Sequence, residues 1–326
     1  MDTLGGDPGA SLFSGGLASR IDAFDQILVK AAHRSPLLDA FLSRSSINGR
    51  GLLLALIALL LLLILPPLIE TILRRAGHVK ANFRGEQIPQ SVGITIVIYA
   101  AVMLCASAYL VPAIRFSAVT WLIAIAGFGA LGLLDDVRGN REASGLGGHF
   151  RAAFHERKIT TGFIKAVGGL LIAFLIAFRL RPENPASALL AAAILALSAN
   201  AVNLLDLRPG RAGAAFLLFA IPLVGVSFPV NNAAGIPLLL FVTIPALRIY
   251  ARDSAAKIML GDAGSNPLGA ALALAFLEIT PSIIPQIVIF VLLIALHLLA
   301  ERASLTKIIE KNSILNRIDK LTGNRN

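Results

Sequence analysis

Long apolar runs broken by short polar stretches make up most of this chain. Nine occur, at roughly 51–73, 91–113, 117–134, 162–179, 185–205, 214–230, 234–251, 263–280 and 282–300. A helix needs about 20 apolar residues to cross the hydrocarbon core of a bilayer, and the runs meet or approach that length. They are rich in Leu, Ala and Ile and lack the period-two alternation of a membrane barrel. Backbone groups in lipid must bond within their own segment, so helices are expected. The pattern predicts an all-α, polytopic transmembrane bundle of about nine spans, forming one domain over residues 51–300. Residues 1–50 form an N-terminal extension. Its Gly-rich stretch 1–18 reads as disordered, and 20–43 carries helical apolar spacing around a break at Pro36, which fits an interfacial helix or a poorly ordered segment. The first apolar run begins only at residue 51, so no cleavable signal peptide is expected. Residues 301–326 form a basic tail.

Composition sharpens this picture. At 56% hydrophobic and 15% charged, with a mean hydropathy of +0.78, the chain is too apolar for an ordinary soluble domain. A net charge of +10 raises the question of nucleic acid, and the placement of the charge answers it. The loops 74–90, 135–161, 206–213 and 248–262, with the tail, hold 20 of the 29 Lys and Arg. By the positive-inside rule that side is cytoplasmic, which puts the N-terminus outside and the C-terminus in the cytoplasm. Such loops orient the protein and attract anionic lipid heads, and no nucleic-acid partner is expected. Cys105 is the single cysteine and falls within a span, so no disulfide or Cys metal site is expected. The five histidines lack metal-ligand spacing and read as loop or interfacial residues.

The informative polar residues are acids. Asp135-Asp136, Asp206 and Asp262 each stand at or just beyond the end of an apolar run, and the topology brings all three loops to one membrane side. Carboxylates beside hydrocarbon are costly and usually serve a substrate path, a proton path or a metal. In Leu133-Leu-Asp-Asp-Val-Arg-Gly139, two adjacent carboxylates disfavour joint ionisation unless a cation is near, and the alternative is a polar helix end facing water. Mg²⁺ suits such a place, because it favours one or two carboxylates plus phosphate oxygens. Asn200, Asn203 and Asp206 are spaced i, i+3, i+6, on one broad helix side, and read either as lining a polar cleft or as bonding helix to helix. Met259-Leu-Gly-Asp262-Ala-Gly-Ser-Asn266 opens the eighth run. Glycines around Asp262 permit close backbone approach, and amides at a helix start suit phosphate, although Asp262 also reads as an N-cap. Lys165 lies three residues into the fourth run, able to snorkel or to meet a diphosphate. Gly127-Phe-Gly-Ala-Leu-Gly132 matches a dinucleotide fingerprint by letter, yet it lies inside an apolar run. Close packing of membrane helices explains it better.

Together these motifs resemble a known family. A basic loop with Lys80 and Ile88-Pro-Gln-Ser-Val-Gly93, then LLDD, NAVNLLD and LGDAGSN, follow one another as in the polyprenyl-phosphate N-acetylhexosamine-1-phosphate transferases. The resemblance covers about 51–300. It implies a Mg²⁺-dependent enzyme of the bacterial cytoplasmic membrane that moves a sugar-1-phosphate from a nucleotide sugar, of the UDP-HexNAc class, onto undecaprenyl or another polyprenyl phosphate. A nucleoside monophosphate is released, and the product feeds cell-envelope glycopolymer synthesis. By the same resemblance, Asp135 and Asp136 match the acidic pair that activates the lipid phosphate, and Asp262 matches the metal-binding acid. Asn200, Asn203 and Asp206 match the family's N-x-x-N-x-x-D cluster, with Asp206 catalytic. Lys80, Lys165, Arg208 and Arg211 are expected to bind substrate, and a homodimer stays open.

The chain also departs from the family. Where the family continues D-G-x-D-G, Asp206 is followed by Leu207-Arg208-Pro209-Gly210, so the acid associated with uracil becomes Pro209. The aromatic three residues before the metal acid becomes Met259, and the tail has no His to match a late His loop. The reading is a divergent member whose phosphate machinery is retained and whose base and sugar recognition has changed. Two other classes stay in view: a lapsed member that binds lipid phosphate or protein partners, and a transporter.

Overall fold

The computed structural model describes residues 49–139, 160–227 and 235–323. The chain divides into two compact units, Met1–Leu53 and Leu54–Asn326. Of the first, only the opening turn of one helix is described, so the expected interfacial helix at 20–43 lies outside the described residues. The second unit is almost wholly helical. The long described helices are α1 (Gly49–Arg75), which begins in the first unit, α2 (Ile94–Leu110), α3 (Arg115–Arg138), α4 (Thr161–Leu180), α5 (Pro185–Leu205), α6 (Arg211–Ser227), α7 (Gly235–Asp253), α8 (Asp262–Ile279) and α9 (Ile283–Arg302). Two short helices, α10 (Leu305–Lys311) and α11 (Ser313–Thr322), end the chain.

Each apolar run of the sequence therefore carries a helix. Five segments among the described residues are long and apolar enough to cross a membrane: Gly49–Arg75, Pro112–Arg138, Thr161–Leu180, Pro185–Leu205 and Ile283–Arg302. Ile94–Leu110 and Arg211–Gly225 are apolar but shorter. One expectation needs amending. The fold is not all-α, because the loop after α1 contains a hairpin, β1 (Val79–Ala81) paired antiparallel with β2 (Gln87–Pro89). Strands of three residues are too short to print an alternation in sequence. The turn is made instead by Asn82, whose Oδ1 accepts the Arg84 and Glu86 amides at 2.9 and 3.0 Å, and by Gly85 at φ +80°.

Helix α8 is the axis of the unit, packed on α2, α3, α5, α6 and α7 and buried over most of its length. Small residues make this possible. A Cβ on Gly269 would lie 2.1 Å from the Ser198 carbonyl of α5, and one on Gly132 would lie 2.1 Å from the Asp262 carbonyl. A Cβ on Gly93, at the start of α2, would lie 2.3 Å from the Gly264 Cα. In lipid, where burial of apolar surface drives little helix association, such contact supplies the attraction. The G-x-G-x-x-G letters thus serve packing: Gly127 meets Ile172, Gly129 meets Val97, and Gly132 meets α8. By contrast, the outer helices α1 and α9 leave most of their apolar surface uncovered within the chain.

Candidate active site

The polar groups gather at one end of the bundle, where α3, α5 and α7 finish and α4 and α8 begin. Asp136 lies in the last turn of α3. Its carboxylate accepts the backbone N–H groups of Asp262 (3.1 Å) and Ala263 (3.0 Å), so it caps α8 from a neighbouring helix. This corrects one expectation. The amides at the start of α8 are not open to a phosphate, because a carboxylate already accepts from them. The sharp entry to α8 is permitted by Gly261 at φ +72°, where a Cβ would strike Asp136 Oδ2 at 2.6 Å.

Asp135, on the preceding helical position, faces elsewhere. Its Oδ2 stands 3.7 Å from Lys165 Nζ, and the same ammonium donates directly to Asp262 Oδ2. Lys165 reaches them from the first turns of α4, which is opened by the Thr160 hydroxyl accepting the Phe163 amide. Asn203, near the end of α5, completes the group. In the orientation that satisfies all its neighbours, its amide nitrogen donates to Asp262 Oδ1 (2.8 Å) and Ser265 Oγ (3.0 Å), while its oxygen accepts from Lys165 Nζ (2.9 Å). Lys165, Asn203 and Asp262, distant in sequence, thus form one hydrogen-bonded cluster, and Asp135 joins it through its ion pair with Lys165.

A cavity of about 540 Å³ opens beside it, lined among others by Lys80, Asp136, Asp206, Arg208, Asp253 and Asp262. Lys80 is exposed on β1, which carries it to the rim. Asp206 follows the last residue of α5, and burial holds its carboxyl well above the usual carboxylate range. Repulsion from Asp253, Asp262 and Asp136 adds to that shift, and the Gly261 amide opposes it. Pro209 and Met259, the two departures from the family pattern, both line this cavity.

Two expected site residues are engaged elsewhere. Asn200 sits one turn deeper than Asn203, and its amide meets His297 Nε2 on α9 at 3.0 Å. His297 Nδ1 is 2.7 Å from the Leu293 carbonyl, which makes Nδ1 the protonated nitrogen and Nε2 the acceptor. Of its two readings, helix-to-helix bonding is the one seen. Arg211 is buried, and its guanidinium grips Asp319 of α11 in a two-pronged pair at 2.7 and 3.0 Å. A third bond runs to the Thr306 hydroxyl at 3.2 Å. Arg211 joins the tail to α6 and is not among the residues that line the cavity. Arg208 keeps its place on the cavity and pairs with Glu310 of α10.

One residue escaped the sequence reading. Asp253, the last residue of α7, is buried and accepts the amides of Gly210 (2.8 Å) and Leu260 (3.3 Å). It therefore holds together the two loops that wall the cavity, Asp206–Gly210 and Met259–Gly261. The signal was present, because Asp253 also ends an apolar run.

The donor set suits the metal the resemblance implies. Among the described residues no three acids or histidines stand close enough to hold an ion by themselves. Mg²⁺ does not require that, since one or two carboxylates suffice when phosphate oxygens supply the rest. Asp135 and Asp262 already share one cation, the ammonium of Lys165, so this is where positive charge is held. Among known proteins, a family model described as glycosyl transferase family 4 matches residues 118–280, half of the chain, and takes in Asp135, Asp136, Lys165, Asp206 and Asp262. No curated protein matches the chain.

Proposed function

The chain belongs to glycosyl transferase family 4, and from that premise we propose the particulars of its reaction. It transfers a sugar-1-phosphate from a nucleotide sugar of the UDP-HexNAc class to undecaprenyl or another polyprenyl phosphate, and releases a nucleoside monophosphate. An oxygen of the lipid phosphate attacks the sugar-bearing phosphorus of the donor, and the bond from that phosphorus to the nucleotide oxygen breaks. A diphosphate-linked lipid and the nucleotide result, with no other reactant needed. The observation that carries this reading is the cluster of Asp135, Lys165, Asn203 and Asp262 beside a cavity edged by Lys80 and Arg208.

Two anions must be brought together, so the residues' work is largely to offset charge and align reactants. Lys165 meets the phosphates from within the bundle, and Lys80 and Arg208 meet them at the rim. Asp135 and Asp262 are the groups that would hold Mg²⁺, which when bound supplies Lewis-acid stabilisation of the phosphates. Asn203 orients Asp262 and Lys165. Asp136 holds the start of α8 and also lines the cavity, while Asp135 joins the site through its ion pair with Lys165. Asp206 faces the cavity and steers the donor.

This reading places the acids at the cytoplasmic face of a bacterial inner membrane, with all nine helices α1–α9 crossing. Thiols introduced at positions 140, 208 and 255, in a Cys105→Ser background, are then shielded from an impermeant reagent in intact cells, and one at 232 is labelled. Opposite behaviour of 140 and 208 would refute the topology. Turnover is tested with purified protein, undecaprenyl phosphate, Mg²⁺ and a panel of nucleotide sugars, scoring nucleoside monophosphate release. Binding of polyprenyl phosphate without release from any donor would favour a lapsed enzyme. Flux into sealed liposomes without turnover would favour a transporter.

A further inference from the structure

The exposed apolar faces of α1 and α9 are accounted for by lipid around a membrane span. Helix α11 presents such a face without being able to span, since it has only 10 residues. Ile314, Ile318 and Leu321 recur at i, i+4 and i+7, along one side of the helix, and are 68%, 51% and 85% exposed. Arg317 and Lys320, both exposed, follow one edge of that side. The opposite side is tied down: Asp319 is buried against Arg211, the Tyr250 hydroxyl donates to the Thr322 carbonyl at 3.0 Å, and Gly210 lies too close to that carbonyl to carry a Cβ.

We infer that α11 lies in the plane of the membrane surface, with Ile314, Ile318 and Leu321 immersed in an anionic leaflet and Arg317 and Lys320 on its headgroups. Position and charge both point to lipid. α11 follows α9, a membrane-crossing candidate, with only the short α10 between, so the chain reaches it where it leaves the bilayer. A short helix with an apolar stripe and a basic edge partitions to an interface through apolar burial plus attraction to anionic heads. The buried Arg211–Asp319 pair fixes which side of α11 turns outward, so the stripe is held toward the occupant rather than left free to roll. This surface is separate from the proposed transfer site, and its occupant is a lipid surface rather than the acceptor lipid.

The test uses full-length protein carrying Cys105→Ser and single nitroxide labels at 314, 318, 321 or 320, one copy per nanodisc. Discs are of phosphatidylcholine, with or without phosphatidylglycerol. The first three labels are expected to collide preferentially with dissolved oxygen in the anionic discs, and the label at 320 with a water-soluble nickel chelate. Combining Arg317→Gln with Lys320→Gln should weaken immersion on the order of tenfold. The inference fails if 314, 318 and 321 respond to the nickel chelate as 320 does in both compositions. It fails equally if they are shielded only when two copies share a disc, which would make a second chain the occupant. These labels sit on exposed positions, and transfer activity is not the readout, so failure here leaves the proposed reaction untouched.

Discussion

Two groups of charges lie a few residues apart in this protein and are built on opposite plans. Around α6 and the tail, acids and bases are matched: Arg211 with Asp319 and, at the end of α7, Arg252 with Glu70 at 2.7 Å. Around the start of α8 they are not. Asp206 feels Asp136, Asp253 and Asp262 together, and Lys165 is shared between Asp135 and Asp262. Matched pairs fasten one element to another and need nothing further. Crowded carboxylates at the edge of a cavity are costly until a cation arrives, and such a cost is retained where it serves binding.

The sharpest way to break this contrast is Asp262→Asn. Transfer should fall on the order of a thousandfold, because a neutral amide is a poor ligand for a hard cation, while the protein remains folded and inserted. Nucleotide release and a melting curve on the same preparation check both halves. Turnover like that of the parent would remove Asp262 from the metal role.

The matched side should answer in the reverse sense. Arg211→Met leaves Asp319 buried without its partner, which costs about 3–5 kcal/mol of stability. Adding Asp319→Leu should recover most of the loss, and the double variant should still turn over. If the double variant is stable but cannot use its donor, Arg211 binds substrate after all.

A smaller effect distinguishes the two groups by pH. Asp206 ionises at a higher pH in the folded protein than in the unfolded chain, so its charge penalises folding. That penalty is absent below the unfolded carboxylate range, grows as pH rises toward the folded value, and is complete above it. Asp206→Asn should therefore raise the melting temperature in chelator by a few degrees at neutral pH, and by nothing in acid, while lowering turnover. Equal melting temperatures across that range would show the crowding to be relieved in some other way.

The smallest effect concerns the nucleobase. With Pro209 and Met259 on the cavity wall in place of an acid and an aromatic, UDP, CDP and GDP should compete for the site within about 100-fold of one another, or nearly 3 kcal/mol. A wider preference for UDP would reveal a uracil contact made by other residues.

Much of this was legible in the sequence where the cause was local. Each apolar run became a helix, and Asp206 and Asp262 lie at helix ends because a carboxylate is costly anywhere deeper. Asp253 obeys the same rule, but no motif surrounds it to mark it. What stayed hidden was partnership. The spacing of Asn200, Asn203 and Asp206 describes one helix side, but α5 ends at Leu205 and Asp206 turns out of it, leaving Asn200 to α9. Arg211 looked like a phosphate ligand because its carboxylate lies 108 residues further on. Nothing in the Asp135-Asp136 pair says which acid caps a helix belonging to another part of the chain.

That cap sets an order of events. Asp136 already stands at the positive end of α8, the feature that in many proteins draws in a phosphate unaided. An incoming diphosphate therefore meets resident negative charge where it would otherwise meet bare amides. If the transfer uses Mg²⁺ as proposed, initial-rate kinetics should show a compulsory sequence in which the divalent ion binds before the nucleotide sugar or enters chelated to it.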